Sequence, residues 1–373
     1  MDSFLNYWEN HTWNLNDIRT FFNTNWAIDI NDKIHNKSLV LVRITSDDIK
    51  FGYRLRTNRI DSIKKFFRDI KDKYKDLTGI YLISLCDEIY DKKIEYHNVG
   101  NKPVGDLSSH HFHYGISTTN QDLVRIENST ADTNHYNFPI FSFSKTSKQD
   151  TVIPFPHSYL LENKFYYTDT TPFSEKKDNI PIYRFSNSRS NLLYHSRFTL
   201  LNLSFHNPTL IDCKAGFNGE HPGFVDWVLH PSFIKLYNRL GIIKINDISA
   251  FSSFVHVNNY TPKDEIKKNK YIVCNDSWYN LDYACSNSVL LRYKYDKTKY
   301  LEDYIFVDGK DYIVFDETNL NEKMQYIKEN PLKMEEMISN RHATLNTLKY
   351  ENLVNEYGKL LQKYSKISET NQL

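Results

Sequence analysis

Glycine is scarce: 11 of 373 residues, about 3% where about 7% is usual. Glycine is what lets a backbone approach a phosphate closely. The eleven never fall into G-x-G-x-x-G or G-x-x-x-x-G-K-[ST], which argues against a P-loop NTPase or a dinucleotide-fingerprint dehydrogenase. Charge of one sign is lacking too. The 47 Lys and Arg offset 46 Asp and Glu, leaving a net charge of +1, so no basic excess marks a dedicated nucleic-acid binder. The four cysteines, Cys86, Cys213, Cys274 and Cys285, contain no C-x-x-C pair; they read as free thiols in a reducing compartment. Apolar runs such as Ile80–Ile83 stay far below the roughly 18 residues that a membrane-crossing helix needs. The opening MDSFLNYWENHTWNLND is polar and acidic, without the apolar stretch of a signal peptide. The expectation is a cytoplasmic protein with no integral membrane segment.

What is abundant is aromatic: 27 Tyr and 23 Phe in a chain that is 40% hydrophobic. A chain of this length predicts two domains, each with its own core. Residues 39–44 and 51–56 read as strands. Ile60, Ile63, Phe67, Ile70 and Tyr74 recur at spacings of three and four, with charged residues between them, the pattern of an amphipathic helix. Gly79 stops it, and GIYLISLC (79–86) follows as a short buried strand of the parallel type. Helix followed by buried strand is half of a doubly wound α/β unit. Residues 87–138 are irregular and histidine-bearing, and PIFSF (139–143) resumes a strand. The stretch 144–181 holds no helical period. Further strands are expected at 180–185, 242–245, 270–274 and 286–293, helices from Arg197 and at 229–240, and a strand–turn–strand around Asp308 and Gly309. In the last sixty residues Met324, Ile327, Met334, Met337 and Ile338 line one helical face, and Leu353, Tyr357, Leu360, Leu361 and Tyr364 another. The run Lys263–Lys270 reads as a solvated face.

Several stretches taken in order resemble glycosyltransferase family 90, which includes Rumi-like protein O-glucosyltransferases and capsule- and lipopolysaccharide-modifying transferases. PIFSFSKT (139–146) resembles the family's P-[VL]-F-S-F-S-K-T signature. GIYLISLCDE resembles the strand that ends in its Asp, and IYRFSNSRS…SRFTLLNLS its F-R-G-S…R block. KYIVCNDSWYNLDYACSNSVLL resembles the K-Y…S-F-R…S-G-S-V-L block, and the segment from Asp316 its C-terminal helices. The resemblance covers about residues 60 to 365. It implies an α/β, GT-B-like fold: two facing Rossmann-like domains with a helical C-terminal segment. The implied division is an acceptor-side domain at 1–150, an inter-domain region at 151–179, a nucleotide-sugar domain at 180–350, and a helix at 351–373 packing back on the first domain.

The implied activity is transfer of a hexose or pentose from a nucleotide sugar, UDP-linked in most of the family, to a hydroxyl acceptor with inversion. Such a transfer needs a carboxylate to take the acceptor's proton and positive charge or oriented N–H groups for the departing diphosphate. Asp87 aligns with the family's base; Glu88 beside it is the rival, and capping of the next turn is the structural alternative. Arg184 and Ser186 match the Arg and Ser of F-R-G-S, and Arg197 the later Arg, giving guanidinium forks suited to phosphate. Ser277 and Trp278 match the Ser and aromatic of S-F-R. Phe141, Phe143 and Lys145 are expected to support the cleft wall, the two phenylalanines as core. No cofactor or metal is implied beyond the donor. The partners expected are that donor and a glycan, lipid-linked sugar or protein acceptor, with no nucleic acid.

Two positions depart from the pattern. Phe185 stands where F-R-G-S has its glycine, predicting an obstructed backbone approach. Tyr279 stands where S-F-R has Arg, losing a permanent charge at a donor contact. These departures support a second reading, a catalytically inactive GT-B-like module that binds a glycan or protein. The cluster His110, His111 and His113, with His97 upstream, lacks the spacing and supporting residues of a metal site; His111 and His113 read as acceptor-side residues.

Overall fold

The computed structural model describes residues 39–53, 58–84, 140–145, 152–162, 169–186, 195–216, 245–256, 262–274, 277–294 and 299–370. The fold is α/β, with two five-stranded sheets and helices distributed between and after them.

The first sheet starts with β1 (Leu39–Ile44) and β2 (Ile49–Tyr53), joined by a tight turn in which Thr45 N–H donates to Asp48 O at 2.9 Å. The Asp48 N–H in turn donates to Thr45 Oγ1 at 3.1 Å. So short a connection serves only antiparallel strands. Helix α1 (Asn58–Lys73) then crosses to β3 (Gly79–Ser84), which pairs with the other side of β1, again antiparallel. β2, α1 and β3 thus form a crossover unit into which β1 is inserted. The sheet is mixed: the Thr45–Asp48 turn folds the chain back on itself, while β3 pairs in parallel with β4 on its other side. β4 (Ile140–Ser142) and β6 (Val152–Pro154) extend it in parallel, giving the order β2-β1-β3-β4-β6. β6 therefore brings the start of the expected inter-domain stretch into the first sheet, and α2 (Ser158–Leu161) follows it. The apolar positions of α1 read from the sequence are its buried face: Ile60, Ile63, Phe67 and Ile70 are at most 1% exposed.

The second sheet is wholly parallel. It consists of β7 (Ile182–Ser186), β8 (Asp212–Gly216), β9 (Tyr271–Cys274), β10 (Val289–Tyr293) and β12 (Ile313–Phe315), in the order β12-β10-β9-β7-β8. Its described helices are α3 (His195–His206), α4 (Ile248–His256), α5 (Lys263–Lys267) and α6 (Ser277–Ala284). One departure lies in the Lys263–Lys270 run, expected to be solvated. Ile266 and Lys267 are buried there, because α5 docks through them just ahead of β9. The stretch around Asp308–Gly309 holds one strand rather than two. Gly309 takes the left-handed φ of 77° that the turn before β12 requires.

Two features join the sheets. β5 (Ser144–Lys145), one residue beyond β4, pairs antiparallel with β11 (Lys299–Tyr300), which lies between β10 and β12 in the chain. Three C-terminal helices, α7 (Leu320–Glu329), α8 (Pro331–Thr347) and α9 (Tyr350–Thr370), complete the fold. α9 runs against α1: Tyr350 Oη donates to Asp69 at 2.6 Å and Tyr74 Oη to Asn355 O at 3.0 Å. Tyr357 Oη reaches Pro154 O on β6 at 2.5 Å. Gly358 permits this approach, since a Cβ there would meet the Tyr74 ring at 2.0 Å. Leu353, Tyr357, Leu360, Leu361 and Tyr364 are buried. No helix among the described residues is long and apolar enough to cross a membrane.

Candidate functional site

An open parallel sheet binds ligands beyond the carboxyl ends of its strands, at the point where the strand order reverses. In chain order the second sheet reads 5-4-3-1-2, so the reversal falls between β7 and β9. β7 ends at Ser186 and is followed by α3; β9 ends at Cys274 and is followed by α6. The starts of both helices therefore belong to this edge, and helix N-termini carry partial positive charge and unsatisfied N–H groups. Arg197 is the third residue of α3, Ser277 the first of α6 and Tyr279 the third of α6. Ser186, Arg197, Ser277 and Tyr279, separated by up to 93 positions in the chain, thus fall on elements that meet at one sheet edge.

Strand alternation settles where Phe185 goes. Tyr183 and Phe185 share a face of β7, are buried, and lie with ring centroids 5.4 Å apart. The side chain at the position expected to obstruct a ligand is therefore spent on the core, on the face opposite Arg184. Arg184, expected as a donor contact, is engaged within the sheet. Its guanidinium pairs with Asp212 at 2.6 Å and donates to the Asp212 and Tyr183 carbonyls at 2.8 and 3.0 Å. Asp212 registers with Ile182, so the Arg184 fork points toward the amino end of the sheet. It ties β7 to β8.

The same carboxyl edge holds a cluster that sequence reading missed. Tyr293 ends β10, and its hydroxyl donates to Glu317, two residues beyond β12. Thr199, on α3, hydrogen-bonds the same phenol. Burial, then Glu317, push the Tyr293 phenol far above its ordinary range, so it stays a donor. Glu317 itself is exposed. The result is an oriented carboxylate facing solvent, suited to accepting hydrogen bonds from hydroxyl groups. The only sequence signal was an acidic pair, Asp316–Glu317, directly after an apolar strand.

At the amino edge, by contrast, polar groups close on one another. Lys176, fully enclosed, pairs with Asp169 at 2.5 Å and donates to Lys267 O. Asn287, before β10, donates its backbone N–H to Asp169 at 2.9 Å and its amide to the Asp169 and Thr171 carbonyls. Burial opposes the Asp169 charge, but Lys176 and the Asn287 N–H hold its carboxyl below the usual range. Arg341 on α8, 1% exposed, donates to Ala284 O, Ser286 O and Ser288 O at 2.6–2.9 Å. It stops the α6 C-terminus and fixes the approach to β10.

Asp87, His111 and His113, with Glu88, His97 and His110, lie outside the described residues, and so does Cys86. Phe141 and Phe143 are core: Phe143 stacks on Phe155, and Phe141 meets Phe155 edge-on and Tyr81 and Tyr357 at a tilt. Cys213 and Cys274 are buried thiols.

No family model matches the chain, and no curated protein matches it. Its structural neighbours are glycosyltransferases. The C-terminal domain of the group 1 family glycosyl transferase LpcC from Francisella tularensis is 11% identical with a TM-score of 0.28, over 49% of this chain and 95% of that one. Anabaena Alr3699/HepE, solved with UDP and glucose, is 11% identical with a TM-score of 0.35; the match spans 62% of this chain and 64% of HepE, under two thirds of its length. A glycosyltransferase from Rickettsia africae is 13% identical with a TM-score of 0.35, over 84% of each chain. At such scores the likeness is too loose to transfer a residue role or an activity.

Proposed function

We propose that the chain is a nucleotide-sugar-dependent glycosyltransferase of GT-B-like organisation, inverting and independent of a bound metal. The donor lies at the β7/β9 edge, its diphosphate against Ser186, Arg197 and Ser277 and the starts of α3 and α6, with Tyr279 a neutral hydrogen-bonding contact. Arg184 acts through β7 rather than on the donor. Asp87 takes the proton of the acceptor hydroxyl as its oxygen bonds to the anomeric carbon and the bond to the diphosphate breaks. The nucleoside diphosphate, UDP in this reading, leaves with the electron pair. The acceptor is a hydroxyl of a glycan, lipid-linked sugar or protein, with His111 and His113 on its side of the site.

The observation that carries this reading is the gathering of two strand ends and two helix starts at one switch-point edge. Ser186, Arg197, Ser277 and Tyr279, singled out from sequence motifs, belong to those elements. The burial of the Phe185 side chain in the core supports the same reading. The test is a melting screen with UDP, GDP and their sugars. UDP or a UDP-sugar raises the Tm, and Asp87→Asn abolishes transfer while melting as the wild type does. No shift by any of these nucleotides at millimolar concentration sinks the donor assignment. Tyr279 favours one other reading, the inactive binding module; donor hydrolysis or transfer that disappears in Arg197→Ala eliminates it.

A further inference from the structure

We propose that Glu302 is a proton-operated latch between the two sheets. Uncharged, it seats the Leu301–Tyr304 turn in the core and keeps β11 against β5; charged, it releases both.

The geometry is specific. The turn at Leu301–Tyr304 begins directly after β11, and the β5–β11 ladder is where backbone continuous with the first sheet pairs with backbone of the second half. Glu302 on this turn is 2% exposed and lines a small cavity of about 20 Å³, room for no more than a single water. Its own backbone N–H donates to it, and the charged and titratable groups around it among the described residues are these. Asp303, from the same turn, forms an ion pair with Arg292 of β10. Tyr312, ahead of β12, also interacts with Arg292. Arg341, from α8, directs its donors to backbone carbonyls. Tyr357, from α9, gives its hydroxyl to Pro154 O, and Cys274, from β9, lines the cavity. Two adjacent carboxyl groups thus share one guanidinium committed to Asp303.

Among the described residues a second buried charge beside Asp303 has only the Arg292 guanidinium, already paired with Asp303, to offset it, and enclosure of a poorly compensated charge is strongly unfavourable. Burial first, and the Asp303 charge second, push the Glu302 carboxyl up to about 8. Released into water it returns to its ordinary value near 4.3. Seated Glu302 therefore binds a proton that released Glu302 does not, throughout the interval between those values. Each rise of one pH unit in that interval favours release about tenfold. The latch tightens on acidification and loosens toward mild alkalinity.

Hydrogen exchange on the whole wild-type chain tests this without reference to any transferase activity. After correction for intrinsic base catalysis, amide protection across 299–306 is expected to fall about tenfold per unit between pH 5.5 and 7.5. In Glu302→Gln, which keeps the shape and cannot ionise, protection across the same residues is expected to be independent of pH. A flat profile in the wild type overturns the proposal. So does an equal slope in Glu302→Gln, which would assign the titration to another group.

Discussion

The two edges of the parallel sheet use polar residues in opposite ways. At the amino edge Lys176 and Arg341 are buried, and their donors are spent on Asp169 and on backbone carbonyls of Lys267, Ala284, Ser286 and Ser288. At the carboxyl edge Glu317 accepts from Tyr293 and stays exposed. The amino edge converts charge into fixed geometry. The carboxyl edge leaves the Glu317 carboxylate facing solvent. A buried cation with its donors directed inward is an architectural device, whereas an exposed carboxylate at a strand's carboxyl end remains open to solvent.

Arg341→Met tests the architectural side hardest. It removes the donor for three buried carbonyls and is expected to destabilise the fold by about 4 kcal/mol in urea unfolding. A loss below about 1 kcal/mol would mean that the carbonyls find other partners.

Lys176→Met comes next, at about 3 kcal/mol, because it strands the Asp169 carboxylate. This loss carries a pH signature. The native Asp169 carboxyl is held below its unfolded value, so the stability it contributes is present above the ordinary carboxylate range and disappears as pH falls through the lowered native value. The gap between wild type and Lys176→Met should therefore be widest near neutrality and narrow below about pH 4. A gap that stays constant with pH would point to lost packing of the lysine stem alone.

Arg197→Ala is the smallest perturbation of the fold, expected within about 0.5 kcal/mol of wild type. Its effect belongs to ligand affinity. If it instead unfolds the chain, the contrast between the two edges is wrong at this residue.

Helical periodicity was the most legible feature of the sequence. Ile60 to Ile70 on α1, and Leu353 to Tyr364 on α9, are buried where spacings of three and four put them, because an amphipathic stripe is a local property. Sheet topology was less legible. The insertion of β1 between β2 and β3 depends on strand pairing across α1, which nothing local encodes. Arg341 gave a usable signal: it lies on the α8 stripe with Met334, Met337, Ile338 and Leu345, and a charge at an apolar-stripe position marks a buried, fully partnered group. Lys176 and Glu302 gave none, since their partners come from distant segments. Around the candidate site, the motifs chose Ser186, Arg197 and Ser277, and the strand order explains why residues so far apart in sequence belong to one edge. Arg184 passed the motif criterion, yet its side chain reaches back to Asp212, a direction that a pattern cannot carry.

The central claim is that the β7/β9 edge takes a nucleoside diphosphate. Calorimetric titration of UDP into the wild-type chain and Arg197→Ala tests it most directly. Saturable one-site binding is expected in the wild type, weakened at least about tenfold in the variant, the worth of one charge-assisted phosphate contact, at unchanged melting temperature. Equal affinity in the two proteins, or no binding to a folded wild type, would contradict it.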